Sequence, residues 1–192
     1  MPEKTRDKLI TVANELFYEH GFHAVGLDQV LDRVGVTKTT FYNHFESKDD
    51  LVIAVLLERD RIELAEWLRI MEHKGGADPR ARILALFDLL EDWLADPGFK
   101  GCMFLKATAE YPSPHDPVHK AALVHGQNLF EALKRQATLA DAPDPGALAG
   151  QLMMVLAGAV VNRHESGFAD RARTARATAG VIVDHHLPVH RR

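Results

Sequence analysis

Six polar side chains follow a glycine closely, and their types suit contacts with a nucleic acid. They are Thr37, Lys38, Thr39, Thr40, Tyr42 and His44. Side chains near the N-terminus of a short helix can reach base edges in the major groove of DNA. We therefore expect Lys38, Thr39 and Thr40 to read bases. Tyr42 and His44 lie at the far end of the segment, where they can reach the sugar-phosphate chain.

The flanking residues predict two helices joined by a sharp turn. Apolar residues at helical spacing predict a helix over residues 27–34, and Gly35-Val36 supplies the turn. A second, short helix is predicted from Lys38 to His44. The Thr37 hydroxyl can cap this helix or bind a phosphate, and the sequence leaves both roles open. This order is typical of a helix-turn-helix.

Two aromatic residues are expected to fix the angle of the second helix. Phe41 and Phe45 are four residues apart, so they share one face, which should point into the core. Ser47 then caps a long helix predicted from Lys48 to about Lys74. A cation in a first turn opposes the helix dipole at a cost of about 0.3–1 kcal/mol, which a nearby phosphate would reverse. Lys48 is thus expected to bind phosphate, with an ion pair to Glu46 as the alternative.

The rest of the chain also has the pattern of an all-α protein, with about nine helices. Beyond the three above and a first helix over 5–20, helices are predicted at about 80–95, 101–111, 117–139, 145–166 and 170–187. Gly21 is expected to end the first helix in a left-handed conformation. We expect a DNA-binding domain over residues 1–47 and a ligand-binding and dimerisation domain over 48–192, connected by helix 48–74.

Charge and composition limit how such a protein could bind DNA. The 192 residues carry a net charge of −4, and residues 1–48 hold six basic and seven acidic side chains. Bulk charge therefore cannot supply the binding, which must come from placed groups and from pairing two sites in a dimer. The single cysteine, the polar N-terminus and the lack of an apolar run near ~20 residues predict a cytoplasmic protein without a membrane span.

Several short motifs in residues 5–57 occur together. They are Ala13-Asn14-Glu15-Leu16-Phe17, Gly21-Phe22, Val30, Gly35-Val36-Thr37, Phe41-Tyr42-Asn43-His44-Phe45 and Ser47-Lys48-Asp49-Asp50-Leu51. With them this segment resembles the DNA-binding domain of the TetR/AcrR-type repressors. The resemblance implies backbone contacts from Tyr42, His44 and Lys48. Many members carry hydroxyl residues where this chain has Val25-Gly26, so we expect one such side-chain contact to be absent, with a backbone N–H of the same turn as the alternative donor.

The resemblance also implies an inducer pocket in the C-terminal bundle. Gly101 to Leu105, with Ala109 to Pro112, is similar to a ligand-domain segment of one subgroup. Methionines and aromatics suit an adaptable apolar pocket, and ordinary bundle core is the alternative. The expected pocket residues are Trp67, Phe87, Trp93, Met103, Phe104, Glu110, Met153 and Asn162. Met154 is expected in the same core.

The last two helices are rich in small residues, which let helices approach closely. In the family the equivalent pair forms a four-helix dimer interface, and packing within one chain is the alternative. The expected interface residues are Leu152, Leu156, Ala159, Ala175, Ala179 and Ile182. A two-fold dimer would present two recognition helices to successive major grooves.

Two other classes of function are weighed against a regulator. The chain has 11 histidines, but no metal-ligand motif appears, and the adjacent His185 and His186 would point about 100° apart on a helix. A metal-dependent helical enzyme is therefore disfavoured, and no cofactor or metal is expected. A helical protein-interaction module without DNA binding is the other alternative.

The sequence and its resemblance together predict a homodimeric, ligand-responsive DNA-binding repressor. Its partners would be a double-stranded, palindromic operator and a small-molecule inducer of unknown identity. The inducer would shift the population toward a state in which the helix beginning at Lys48 swings, which would change the separation of the recognition helices.

Overall fold

A computed structural model describes residues 2–161 and 168–187, and every regular element in these ranges is an α-helix. The helices are α1 (Pro2–His20), α2 (Leu27–Val34), α3 (Lys38–Tyr42), α4 (Lys48–Gly75), α5 (Pro79–Ala95), α6 (Met103–Glu110), α7 (Pro117–Leu139), α8 (Pro145–Val161) and α9 (Phe168–His186). The all-α prediction is confirmed. The bounds within the described ranges differ from the predicted ones by only a few residues.

Two glycines end helices at the positions that the sequence predicts. Gly21 and Gly35 have φ of 89° and 78°, a left-handed conformation that only glycine adopts without strain. The Gly21 N–H donates to Phe17 O at 2.9 Å, and the Gly35 N–H donates to Leu31 O at 2.8 Å. These bonds close the last turns of α1 and α2, so each chain reversal is built into the sequence locally.

Polar side chains begin the longer helices. Ser47 Oγ accepts from the Asp50 N–H at 3.1 Å, which confirms the predicted cap of α4. Asp78 caps α5 by accepting from the Arg80 N–H at 2.9 Å. Pro79 follows at the first helical position, where its missing N–H leaves no bond unmade.

The chain divides into two compact units that do not follow a single cut along the sequence. One unit comprises Met1–Ile62 with Cys102–Gly126, and the other comprises Glu63–Gly101 with Gln127–Arg192. Helices α4 and α7 contribute residues to both units. The expected division between residues 47 and 48 concerns function and stays a prediction.

The first unit has one hydrophobic core, to which α1, α2, α3, α4, α6 and α7 all contribute. Its largest fully buried side chains include Phe17, Phe22, Phe41, Leu51 and Met103. Helix α6 is short, yet it places several apolar residues in this core. The core therefore depends on contacts between residues far apart in the sequence.

In the second unit, α9 packs against both α5 and α8. Arg176 Nε donates to Asp88 Oδ1 at 2.6 Å, and Arg80 pairs with Asp184, so two ion pairs join α5 to α9.

None of the described helices is long and apolar enough to cross a bilayer.

Candidate nucleic-acid interface

Two buried aromatic rings hold α3, the expected recognition helix, against the rest of the first unit. Phe41 is fully buried and Phe45 is 6% exposed, and their ring centroids lie 5.5 Å apart. This confirms that the pair faces the core. Because α3 has only five residues, its orientation depends on this anchoring more than on its own helical hydrogen bonds.

The cap predicted at Thr37 is present. Thr37 Oγ1 accepts from the Thr40 N–H at 3.2 Å, and the two hydroxyl oxygens lie 3.0 Å apart. The Thr37 hydroxyl thus has an internal partner in the unbound protein. Its second lone pair and the Thr40 hydroxyl are the groups that could still face a phosphate or a base.

The opposite face of α3 points to solvent. Lys38, Thr39 and Tyr42 are exposed, and Tyr42 has 56% of its surface accessible. The Tyr42 ring meets the Phe41 ring edge to face, with centroids 5.3 Å apart, so its direction is constrained. His44 is half-buried just beyond the helix. The six side chains that the sequence predicts to contact DNA between Thr37 and His44 are therefore all at least partly accessible.

Lys38 has an acidic partner on α2. Its Nζ atom lies 2.9 Å from Asp28 Oδ1 and 3.2 Å from Oδ2. The hydrogen bond and the charge of Asp28 raise the pKa of Lys38. Both side chains are exposed, so the pair contributes little stability, but it sets where the cation points. Lys38 must share or leave this partner to contact DNA.

Lys48 has a partner that the sequence did not suggest. Its Nζ atom donates to the main-chain oxygen of Phe22 at 2.6 Å and lies 5.9 Å from the centre of the Phe17 ring. Partial burial lowers the pKa of Lys48, and the charges of Asp49 and Glu110 oppose that effect. The expected alternative, a pair with Glu46, is not the contact found. A phosphate contact stays a prediction, and it would use the remaining ammonium protons.

Gly26 is the N-cap of α2, at a position where many proteins of the resembled family carry a hydroxyl residue. Gly26 has extended backbone, and its N–H donates to Gln29 Oε1 at 2.7 Å. Gln29 thereby supplies one half of a capping box, while the glycine offers no side chain for the other half. The first-turn N–H groups of α2 therefore lack a side-chain acceptor from Gly26.

Three residues of the expected inducer pocket belong to the first unit. Met103 and Phe104 are buried in its hydrophobic core, and Phe104 stacks on the buried His125 with centroids 3.9 Å apart. Glu110 binds the turn after α1 through both carboxylate oxygens. The sequence could not predict this placement, because α5 lies between α4 and α6 along the chain and no helical spacing relates the residues of α6 to Trp67. These three residues therefore belong to the first unit, and their role in an inducer pocket stays a prediction.

The other expected pocket residues lie in the second unit. Trp67 and Trp93 meet edge to face, with centroids 5.7 Å apart. They line a small apolar cavity of about 10 Å³ together with Leu86, Leu89, Leu90 and Leu156. Phe87 is fully buried and Met153 is half-buried, whereas Met154 is 76% exposed and so is not a core residue. Asn162 lies outside the described residues.

Most of the expected dimer residues are buried within the single chain. Leu152 and Ala179 have no exposed surface, and Leu156, Ala159 and Ala175 are at most 7% exposed. Burial within one protomer leaves little of these side chains for a partner to contact, and their place in a dimer interface stays a prediction. Ile182 is half-buried. Among the residues of α8 and α9 whose side chains the structure describes, the large apolar ones that stay exposed are Met154, Val161 and Val181.

Metal chemistry was the other possibility raised by the histidine content. Across residues 2–161 and 168–187, no group of three or more His, Cys, Asp or Glu side chains is placed to hold a metal ion.

An exposed, anchored second helix after a tight turn defines a helix-turn-helix protein, and comparison with known proteins places it more narrowly. Residues 9–55 match the family model for bacterial regulatory proteins of the tetR family. Residues 79–179 match the model for a tetracyclin repressor-like C-terminal domain. The chain belongs to the TetR family of bacterial regulatory proteins.

Individual relatives agree with this assignment. The HTH-type transcriptional activator FasR of Mycolicibacterium smegmatis is 44% identical over 92 residues, covering 48% of this chain and 41% of FasR. The repressor NemR of Escherichia coli is 31% identical over 107 residues, covering 55% of this chain and 53% of NemR. The match thus spans about half the length of these relatives or less. A TetR-family regulator from Streptomyces coelicolor has a TM-score of 0.85 at 29% identity, with 96% of each chain covered.

Proposed function

We propose that the protein is a dimeric repressor that binds a palindromic operator and leaves it when a small-molecule inducer binds. The observation that carries the proposal is the surface of α3. Lys38, Thr39 and Tyr42 are exposed on one side, while Phe41 and Phe45 anchor the other side in the core. A short helix held this rigidly can enter a major groove without losing its own packing.

The division of labour along α3 follows from reach. Lys38, Thr39 and Thr40 lie in the first turn and would contact base edges, which carry sequence information. Tyr42 and His44 lie toward the other end and would contact phosphate or sugar, together with Thr37 or Lys48. Such contacts set register and affinity, and they are insensitive to sequence.

Dimerisation is supported by what α8 and α9 leave uncovered. Met154 and Val181 are 76% and 70% exposed, which is unfavourable for large apolar side chains in water. Gly150 and Gly180 lie within these helices, and beyond the adjacent backbone of its own helix a Cβ at either would meet no described atom within 4 Å. Glycine costs about 1 kcal/mol relative to alanine inside a helix. Packing against the described residues of the same protomer does not explain why these two positions are glycine. Close approach of a second copy would supply that reason.

The inducer site is proposed at the tryptophan pair of the second unit. The cavity at Trp67 and Trp93 has only about 10 Å³, whereas ligand pockets of drug-sized molecules occupy roughly 300–1,000 Å³. A ligand there must part the two rings. Because the chain has only two tryptophans, intrinsic fluorescence reports on this site selectively. A compound that releases DNA without changing tryptophan emission would place the inducer elsewhere.

Selection of DNA tests the main proposal. Purified protein is incubated with a random duplex library, and bound sequences are recovered, sequenced and checked by gel shift. We expect a two-fold symmetric consensus bound by two subunits. Recovery of no enriched sequence, with the protein folded and dimeric, would favour a protein-interaction module instead.

A further inference from the structure

The turn after α1 is where one end of α6 meets the DNA-binding helices. Glu110, the last residue of α6, accepts from two consecutive backbone N–H groups of this turn. Its Oε1 lies 3.1 Å from the Phe22 nitrogen, and its Oε2 lies 2.7 Å from the His23 nitrogen. Consecutive N–H groups beside a left-handed glycine form a concave anion site. The glutamate side chain fills that site from within the protein.

The geometry around Gly21 shows how closely the carboxylate approaches. A Cβ on Gly21 would lie 2.8 Å from Glu110 Oε1, closer than side chains pack. The φ of 89° favours glycine here, and a Cβ at this position would also displace the Glu110 carboxylate from the turn. The contact is also reciprocal, because the His23 ring Nε2 donates to the main-chain oxygen of Glu110 at 2.8 Å.

Two neighbours of Glu110 bind the end of α1 and the start of α4. Lys106, one turn earlier on α6, donates through Nζ to the Tyr18 carbonyl at 2.9 Å. Tyr18 O is one of the last carbonyls of α1, where the helix dipole favours a cation. Tyr111, directly after α6, donates through its hydroxyl to Asp49 Oδ1 at 3.0 Å. We call Lys106, Glu110 and Tyr111 the α6 clamp.

The clamped turn leads directly into α2, the helix that precedes the recognition helix. The residues held by Glu110 are followed by Gly26, the cap of α2, and α2 packs on α1. On α2, Asp28 pairs with Lys38 of α3. Lys48, at the start of α4, binds the Phe22 carbonyl from the other side. A displacement of the turn would therefore move the first turns of both α2 and α4.

We propose that Glu110 is a positioning residue for operator binding, which holds the α1–α2 turn so that α3 is presented at the angle DNA requires. This inference rests on the proposed DNA-binding function. It extends that function by assigning control of operator affinity to a residue of α6, outside the helix-turn-helix. Glu110 contacts no DNA in this account, so its loss changes affinity and leaves sequence preference unchanged.

The experiment compares Glu110→Gln and Glu110→Ala with the wild-type dimer. Hydrogen exchange measured by NMR at the Phe22 and His23 amides reports on the clamp itself, and fluorescence anisotropy on DNA selected by the wild type reports on affinity. We expect both amides to lose protection and operator affinity to fall about tenfold in Glu110→Ala, because two hydrogen bonds to a charged group are lost. Glu110→Gln, which keeps one acceptor, should fall between.

Two controls separate positioning from loss of stability. Glu91→Gln makes the same chemical change on an exposed residue of α5 and should alter neither readout. Ala122→Gly destabilises α7 in the same unit through helix propensity, by about 1 kcal/mol. It should lower the melting temperature without exposing the two amides or reducing affinity as far as Glu110→Ala does.

The outcomes distinguish this inference from the proposed function. Unprotected amides with unchanged affinity would overturn the positioning role, as would a changed consensus when the selection is repeated with Glu110→Ala. If the wild type selects no DNA, the proposed function fails, and the positioning role fails with it even where the amide data show that Glu110 holds the turn.

Discussion

The ammonium group of Lys48 donates a hydrogen bond to the main-chain oxygen of Phe22, 2.6 Å away. This contact joins the first turn of α4 to the turn that follows α1. A residue expected to bind phosphate is thus also part of the framework that orients the helix-turn-helix.

Replacing Lys48 with methionine should therefore cost stability even in the absence of DNA. The aliphatic stem is kept, but the Phe22 carbonyl loses its donor, and we expect a loss of about 1–2 kcal/mol. Urea unfolding monitored by circular dichroism measures it. Lys120→Met removes an exposed lysine of α7 and serves as the control, with an expected change below about 0.5 kcal/mol. Equal effects of the two substitutions would contradict the structural role of Lys48.

Tyr111 should give the protein a distinctive alkaline response. Burial and the neighbouring Asp49 raise the pKa of its phenol, so the folded protein keeps this proton after the unfolded chain has lost it. Above about pH 10, the ordinary tyrosine pKa, loss of the phenol proton stabilises the unfolded chain relative to the folded one. The contribution of Tyr111 to the free energy of unfolding therefore declines as the pH rises. Below that pH the contribution is fully present.

The variant Tyr111→Phe isolates this effect. At pH 8 it should be less stable than the wild type by about 1 kcal/mol, because it lacks the hydrogen bond to Asp49. This difference should shrink as pH rises from 10 to 11 in urea titrations. A difference that stays constant over this range would show that the phenol ionises alike in both states.

Asp28 should weaken the binding of the protein to DNA. It holds Lys38 and places a negative charge beside the proposed interface. Asp28→Asn should strengthen binding to all sequences and steepen the salt dependence, since one more cation is available to phosphate. Asp32→Asn, also exposed on α2, makes the same change of charge and is the control. If both variants gain equally, the pair with Lys38 has no specific role.

The two ends of α3 should respond differently to small substitutions. Tyr42→Phe removes one hydroxyl from an exposed ring and should weaken binding to every sequence by about 1 kcal/mol. Thr39→Ala should instead change which bases are preferred. Repeating the selection with each variant separates the two effects. An altered consensus for Tyr42→Phe would refute our division into reading and positioning residues.

The exposed face of α9 should determine the oligomeric state. Val181→Asp places a charge on the proposed interface twice, once from each subunit of a two-fold dimer. We expect dimer affinity to fall at least tenfold, as seen by sedimentation equilibrium, because burying a valine contributes about 1.5–3 kcal/mol. Leu139→Asp changes a similarly exposed residue of α7 and should leave the dimer intact. Dissociation by both variants would point to general instability.

Local signals in the sequence predicted the helices and their ends well. Gly21, Gly35, Thr37 and Ser47 act through neighbours within a few residues, so their types were sufficient. The burial of Phe41 and Phe45 also follows from helical spacing. These features define the helix-turn-helix without knowledge of the rest of the chain.

Contacts between distant segments could not be predicted in the same way. Lys48 is 26 residues from Phe22, and Glu110 is 88 residues from it, and no periodicity links such positions. Helix α8 is apolar on nearly all sides, so its pattern did not show that Leu152 faces inward and Met154 outward. On α8, only tertiary packing shows which apolar residues lie in the core of the protomer and which lie at the proposed dimer interface.

Footprinting of the selected operator tests the central claim most directly. The wild-type dimer is bound to that DNA and exposed to hydroxyl radicals, which cleave each unprotected sugar. Two recognition helices of one dimer should protect two patches related by symmetry, about one helical turn (34–36 Å) or slightly more apart. A single patch, or uniform cleavage at saturating protein, would contradict a dimer that reads DNA through paired α3 helices.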